Sequence, residues 1–226
     1  MDVKYQVFVS STYNDLKNER LAVINCLLDN DCIPVGMEQF HGVPMNQWDY
    51  IKKMLDNSDY CVLILAGKYG SLEGDSGIGY TEKEFDYAVA NKIPVIRLLY
   101  KDLGLLNVNQ SETDSVKKEK LLAFRKKAEQ DSLADYYESI DDLKNKVSIA
   151  IHKAIKYCPR PGWIRRPFED SDGHFTAEDV ADVFLDDSVT GMSAEKISQL
   201  IDNKIEERTA TDEEVKAVLD KSFGKP

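Results

Sequence analysis

Short apolar runs alternate along the first two thirds of the chain with stretches whose apolar residues recur at helical spacing. Residues 5–10 read as a first strand. Thr12-Tyr-Asn-Asp15 then reads as a capping-box-like start to a helix with Leu16, Val23, Ile24, Leu27 and Leu28 near one face. Residues 32–37 give a second strand, and beyond Gly42 and Pro44 a helix carries Trp48, Ile51, Met54 and Leu55 on one side. Residues 38–47 are thereby a loop at the edge of the sheet where α/β proteins hold ligands. Residues 60–66 and 93–99 are almost continuously apolar rather than alternating, as strands covered by helices on both faces must be, so the sheet should be parallel. A polar connection over 101–116, a helix over 117–130, a short strand over 134–138 and a helix over 141–157 complete five strand–helix units. The fold class expected is α/β, with a five-stranded parallel sheet and helices on both of its faces.

Cys158-Pro-Arg-Pro-Gly-Trp-Ile-Arg-Arg-Pro167 interrupts that alternation with prolines and a glycine, which sets a boundary between a domain over 1–166 and a C-terminal region over 167–226. Three short helices are expected in this region, starting near Thr176, Ser193 and Thr211. Their stripes are Val180/Val183/Phe184, Ile197/Leu200/Ile201 and Val215/Val218/Leu219. So small an all-helical appendage buries little, and it is expected to dock on the first domain or on another chain. A calcium loop is not expected there: with Gly173 at the sixth position, Phe168 falls at the first, where a carboxylate is required.

Charge divides at the same boundary. From Pro167 onward there are 6 Lys/Arg against 16 Asp/Glu, leaving 23 against 24 before it. The acidity belongs to the C-terminal region, and no basic surface of the kind a nucleic acid needs is implied. No run is long and apolar enough for a membrane span, and the N-terminus lacks a signal-peptide pattern, so a cytoplasmic protein is expected. Cys26, Cys32, Cys61 and Cys158 form no C-x-x-C pair and, like His41, His152 and His174, lack metal-ligand spacing. Reduced, mostly buried thiols and no structural metal are the expectation.

The stretch from Tyr80 to Ile96 carries the most chemistry, because Glu82 and Glu84 stand at a helix start between two apolar strands. A loop with Gly67, Gly70, Gly74, Gly77 and Gly79 precedes it. These glycines form neither G-x-G-x-x-G nor a P-loop, and no G-x-S-x-G elbow exists, so a Rossmann dehydrogenase, a P-loop ATPase and a serine hydrolase are unsupported. Glu84 reads as a candidate catalytic carboxylate, and equally as the acidic end of the capping box Thr81-Glu-Lys-Glu84. Ser10, Ser11 and Thr12 follow the first strand, where they would contact a pyrophosphate or cap a helix. Tyr69 and Asp75 lie on the glycine-bearing loop, where an aromatic can stack on a base and where a solvated loop is the alternative. Asp15 and Arg20 read as ligand- or protomer-orienting residues, or as ordinary helix charges.

Val7-Phe-Val-Ser-Ser-Thr-Tyr-Asn-Asp-Leu-Lys-Asn-Glu-Arg20 resembles the opening signature, VFVSSTxxDLxxER, of a TIR-like family long catalogued as a domain of unknown function. Thr81-Glu-Lys-Glu-Phe-Asp-Tyr-Ala88, Lys92-Ile-Pro-Val and Gly162-Trp-Ile-Arg165 extend the likeness over residues 1 to about 166. The resemblance implies a flavodoxin-like, TIR-type fold within a superfamily that includes NAD-cleaving N-glycosidases and nucleoside deoxyribosyltransferases. It implies Glu84 as the catalytic glutamate, with Ala88 and Asn91-Lys92 behind it; Ser10, Ser11, Thr12, Tyr69, Asp75 and Glu82, read from their positions, are the candidate substrate contacts. NAD(P) would be the substrate and not a cofactor, and none is expected. The role implied is bacterial antiphage signalling, with a homo-oligomer or a defence-system protein as partner and the loop over 40–45 shaping pocket or protomer contacts. The alternatives are a non-catalytic module that binds a nucleotide signal or a protein partner, and deoxyribosyl transfer between bases.

Overall fold

The computed structural model describes residues 3–37, 44–130 and 133–164. In chain order the elements are β1 (Val3–Lys4), β2 (Gln6–Ser11), α1 (Lys17–Asp29), β3 (Ile33–Val35), α2 (Gln47–Asp56), β4 (Tyr60–Leu65), β5 (Leu72–Glu73), β6 (Ile78–Gly79), α3 (Tyr80–Ala90), β7 (Val95–Tyr100), α4 (Ser115–Glu129), β8 (Ala134–Tyr137), α5 (Ile140–Tyr157) and β9 (Trp163–Ile164). The main sheet has the spatial order β3-β2-β4-β7-β8, with every pairing parallel. Counted among themselves these five strands run 2-1-3-4-5, the flavodoxin-like order, whose switch point lies between β2 and β4.

All six residues of β4 are buried, which explains why its sequence does not alternate. Its side chains nevertheless divide between two faces. Tyr60, Val62 and Ile64 pack with Val23 and Leu27 of α1 and Leu143, Val147 and Ile151 of α5. Cys61 meets Ile51, Met54 and Leu55 of α2 and Ala88 of α3, while Leu63 and Leu65 meet Phe85 of α3 and Leu121 and Phe124 of α4. Each fully buried aliphatic side chain of this kind stabilises the fold by about 1.5–3 kcal/mol, so the central strand is the main apolar anchor of the sheet.

Three local expectations change. The first helix begins at Lys17 and not at Thr12: β2 runs through Ser11, and the cap position falls on Leu16, which makes no side-chain capping bond. Leu16 is buried and Leu28 is 55% exposed, so the core face of α1 is carried by Val23, Cys26 and Leu27, with Arg20 among them. The third helix is capped by Gly79, which puts Thr81 inside its first turn and dissolves the predicted capping box.

Two antiparallel pairs of two-residue strands, β5–β6 and β1–β9, are too short for any periodicity to signal. The second closes the domain ends together. Asp59, buried, accepts from the Gln6 N–H at 2.9 Å and from the Gly162 N–H at 3.0 Å. Gly162 has φ 67°, and a Cβ there would stand 2.4 Å from Val3 Cγ1, so glycine is required. Cys26, Cys32 and Cys61 are buried free thiols and Cys158 is exposed. Among the described residues no helix is long and apolar enough to cross a membrane. The expected helices of 167–226 and the loop residues Phe40 and His41 lie outside the described residues.

Candidate functional site

The last residues of β2 turn polar where the strand reaches the switch point, and its period of two sends them to opposite faces. Ser10 shares a side with Phe8, toward α3, and its Oγ donates to Glu84 Oε2 at 2.6 Å. Ser11 shares a side with Val7 and Val9, toward α1. Arg20 Nη1 donates there to Ser11 Oγ at 2.9 Å and to the Val9 carbonyl at 3.1 Å, and Ser11 Oγ donates onward to the Thr12 carbonyl at 2.9 Å. A guanidinium on the core face of α1 thus fixes the end of β2 and satisfies polar atoms that would otherwise be stranded.

Glu84 points inward because of its place on α3. Thr81, Glu84, Phe85 and Ala88 are the buried residues of that helix, at the i, i+3, i+4, i+7 spacing of a core stripe. A glutamate occupies a position that packing reserves for an apolar side chain, and it is only 2% exposed. Burial pushes its pKa from 4.5 up to about 7, against the opposing effects of the Ser10 hydrogen bond and the Arg20 charge. Burial, and secondarily the Glu84 charge, also pushes the Cys61 thiol up. Glu84 Oε1 is buried without a hydrogen-bond partner among the described residues, and so is Asp15 Oδ2, while the Thr12 side chain hydrogen-bonds to the Asp15 carboxyl. Such orphaned acceptors are uncommon in folded proteins and mark places where another group is expected to bind. The Asp15 carboxyl is likewise pushed up, chiefly by burial.

Tyr69 and Glu82 form a separate group between α3 and α4. Tyr69 is 3% exposed, with its ring among Leu63, Leu65 and Phe85, so neither a solvated loop nor a freely presented stacking face describes it. Its hydroxyl donates to Glu82 Oε2 at 2.5 Å and accepts from the Gly79 N–H at 3.1 Å. Burial, together with the bond to Glu82, raises its pKa to about 12. Glu82 Oε1 accepts from Lys127 Nζ at 2.6 Å, and Lys127 also reaches Asp86 at 2.8 Å. Residues two apart on a helix do not share a face: Glu82 turns toward α4 and Glu84 toward β2. Asp75 lies in the 3-10 turn Gly74–Ser76, and its side chain is outside the described atoms.

Sequence reasoning did not find the lysines of α4. Lys117 Nζ donates to the Gly70 carbonyl at 3.1 Å and Lys120 Nζ to the Gly77 carbonyl at 2.6 Å, so α4 holds down the glycine-bearing loop. The spacing of Lys117 and Lys120 was legible, but their acceptors are backbone atoms that composition cannot reveal.

A family model described as a domain of unknown function, DUF4062, matches residues 6–152. The chain belongs to the DUF4062 family. The matched residues contain the Val7–Arg20 segment and the Thr81–Ala88 segment, hence Ser10, Arg20 and Glu84, and stop short of Gly162-Trp-Ile-Arg165. No curated protein matches the chain. Among solved structures this DUF4062 protein is similar to the TIR domains of the activated Roq1 resistosome directly recognizing the pathogen effector XopQ. The identity is 17% and the TM-score 0.44, over 67% of this chain and 99% of that one.

Proposed function

We propose that the protein is a TIR-like nucleotide N-glycosidase that cleaves, or transfers across, the nicotinamide–ribose bond of NAD(P), with Glu84 as its catalytic carboxylate. The observation that carries this reading is a buried glutamate at the sheet's switch point with one oxygen held by Ser10 and the other without a partner among the described residues. Cleavage of that bond builds positive charge on the ribosyl carbon while nicotinamide leaves neutral, so the reaction needs a fixed anion more than a strong acid. Water then adds to the ribosyl carbon, and its proton passes to the carboxylate before release to solvent. A pKa of about 7 suits a group that must be ionised for the first step and accept a proton in the second. Thr12 is the residue after β2 left for a pyrophosphate contact, since Ser11 is occupied by Arg20 and the Thr12 carbonyl, and its hydroxyl would have to leave the Asp15 carboxyl to make that contact. The biological setting we propose is antiphage signalling by an oligomer or with a defence-system partner.

Incubating the purified chain with NAD over a range of protein concentrations and measuring free nicotinamide tests the proposal. Release that is lost in Glu84→Gln is expected; no release at any concentration, or equal release by the variant, overturns it. The 2% exposure of Glu84 favours a second reading, a non-catalytic module that binds a nucleotide or a protein partner. Under that reading NAD binds or is ignored, but nicotinamide never appears.

A further inference from the structure

We infer that Ser10 is a positioning residue for Glu84 and not a contact to substrate: its hydroxyl binds one carboxylate oxygen, keeps the group an acceptor, and leaves the other oxygen as the reactive one. The inference rests on Glu84 being the catalytic carboxylate, and it adds a specific division of labour between the two oxygens. Ser10 is fully buried, and its hydroxyl proton is committed to Oε2 at 2.6 Å. A hydroxyl has only one proton, so Ser10 cannot donate to a phosphate without releasing Glu84. The period of two along β2 makes the arrangement possible, because the neighbouring Ser11 faces the other way and takes the Arg20 guanidinium.

Among the described residues the ionisable groups that act on Glu84 electrostatically are Arg20 from α1, on the other face of the sheet, and Cys61 from β4, beside it. Arg20 favours the charged carboxylate across the sheet, and the thiol of Cys61, fully buried, stays protonated and neutral. Ser10 is therefore the group that acts on Glu84 through a direct bond, and removing it exposes both oxygens to the full effect of burial.

The test uses the whole chain, with Ser10→Ala read in two ways. Carbon-13 NMR of the Glu84 carboxyl, assigned by its absence in Glu84→Gln, should titrate at higher pH in Ser10→Ala than in the native protein. Nicotinamide release from NAD at pH 7 should fall about fivefold in kcat, the loss of ionised carboxylate when one charge-assisted hydrogen bond is removed from a group titrating near neutrality. KM for NAD should stay within about twofold, and the kcat deficit should shrink at alkaline pH as the carboxylate ionises again. A titration midpoint that does not move overturns the inference, and so does a raised KM with kcat unchanged, which would identify a substrate contact. If the native protein releases no nicotinamide, the glycosidase proposal fails, while the carboxyl titration still decides whether Ser10 governs Glu84. Should Ser10→Ala not fold, Ser10→Cys, a weaker donor of similar size, is read by the same criteria.

Discussion

Glutamine at position 84 keeps the shape of the side chain and removes its charge, so the cost of ionising a carboxylate inside the fold becomes measurable as stability. Glu84 has an ordinary value of 4.5 in the unfolded chain and about 7 in the fold, with burial as the largest cause. The folded protein therefore binds this proton more tightly than the unfolded one, and the contribution to stability is present below pH 4.5 and lost as pH rises through about 7. The full separation corresponds to about 3 kcal/mol, most of which is lost between pH 5 and pH 8. Urea unfolding followed by circular dichroism, run on native protein and Glu84→Gln at both pH values, isolates this group because every other titration cancels in the difference. The variant should gain on the native protein by about 2–3 kcal/mol between pH 5 and pH 8, or about 5–10 °C in Tm for a domain of this size. It should lose nicotinamide release at the same time. A difference that stays constant with pH, or that shifts toward the native protein at pH 8, would refute the account of a carboxylate held near neutrality by burial.

Asp59→Ala leaves the Gln6 and Gly162 N–H groups without their acceptor and should cost about 3 kcal/mol in urea unfolding, with faster amide exchange at Gly162; Asp59→Asn should lose roughly half as much. Gly67→Ala places a Cβ 2.3 Å from the Gln110 carbonyl and 2.6 Å from Leu106 Cδ1, so the 106–112 segment must move. A loss of at least about 2 kcal/mol is expected, and a neutral substitution would contradict the packing. Lys127→Met removes the bridges to Glu82 and Asp86, but the lysine side chain is 40% exposed. The loss should stay below about 1 kcal/mol and vanish in high salt.

The pattern of polar and apolar residues alone determined the five strand–helix units, the parallel sheet and the central place of the 60–66 run. A strand buried on both faces and a helix buried on one leave signatures that do not depend on their neighbours. The sequence also singled out Glu84, through its position between two apolar strands and the resemblance of Thr81–Ala88 to the TIR-like family. What it could not determine was the state of that carboxylate. Thr81-Glu-Lys-Glu84 is chemically complete as a capping box, and only the helix start at Tyr80 turns Glu84 onto the core stripe with Thr81, Phe85 and Ala88. The same holds for Ser10 and Ser11, adjacent hydroxyls that the sequence treats as equivalent and that the pleat of β2 assigns to Glu84 and to Arg20. Tyr69 reads as a loop residue until the α3 helix places Glu82 and the Gly79 N–H against its hydroxyl. Periodicity records which face a residue turns toward, and that much is local. Which partner waits on that face depends on residues 74 positions away, as between Ser10 and Glu84, and only the closed sheet brings them within a hydrogen bond.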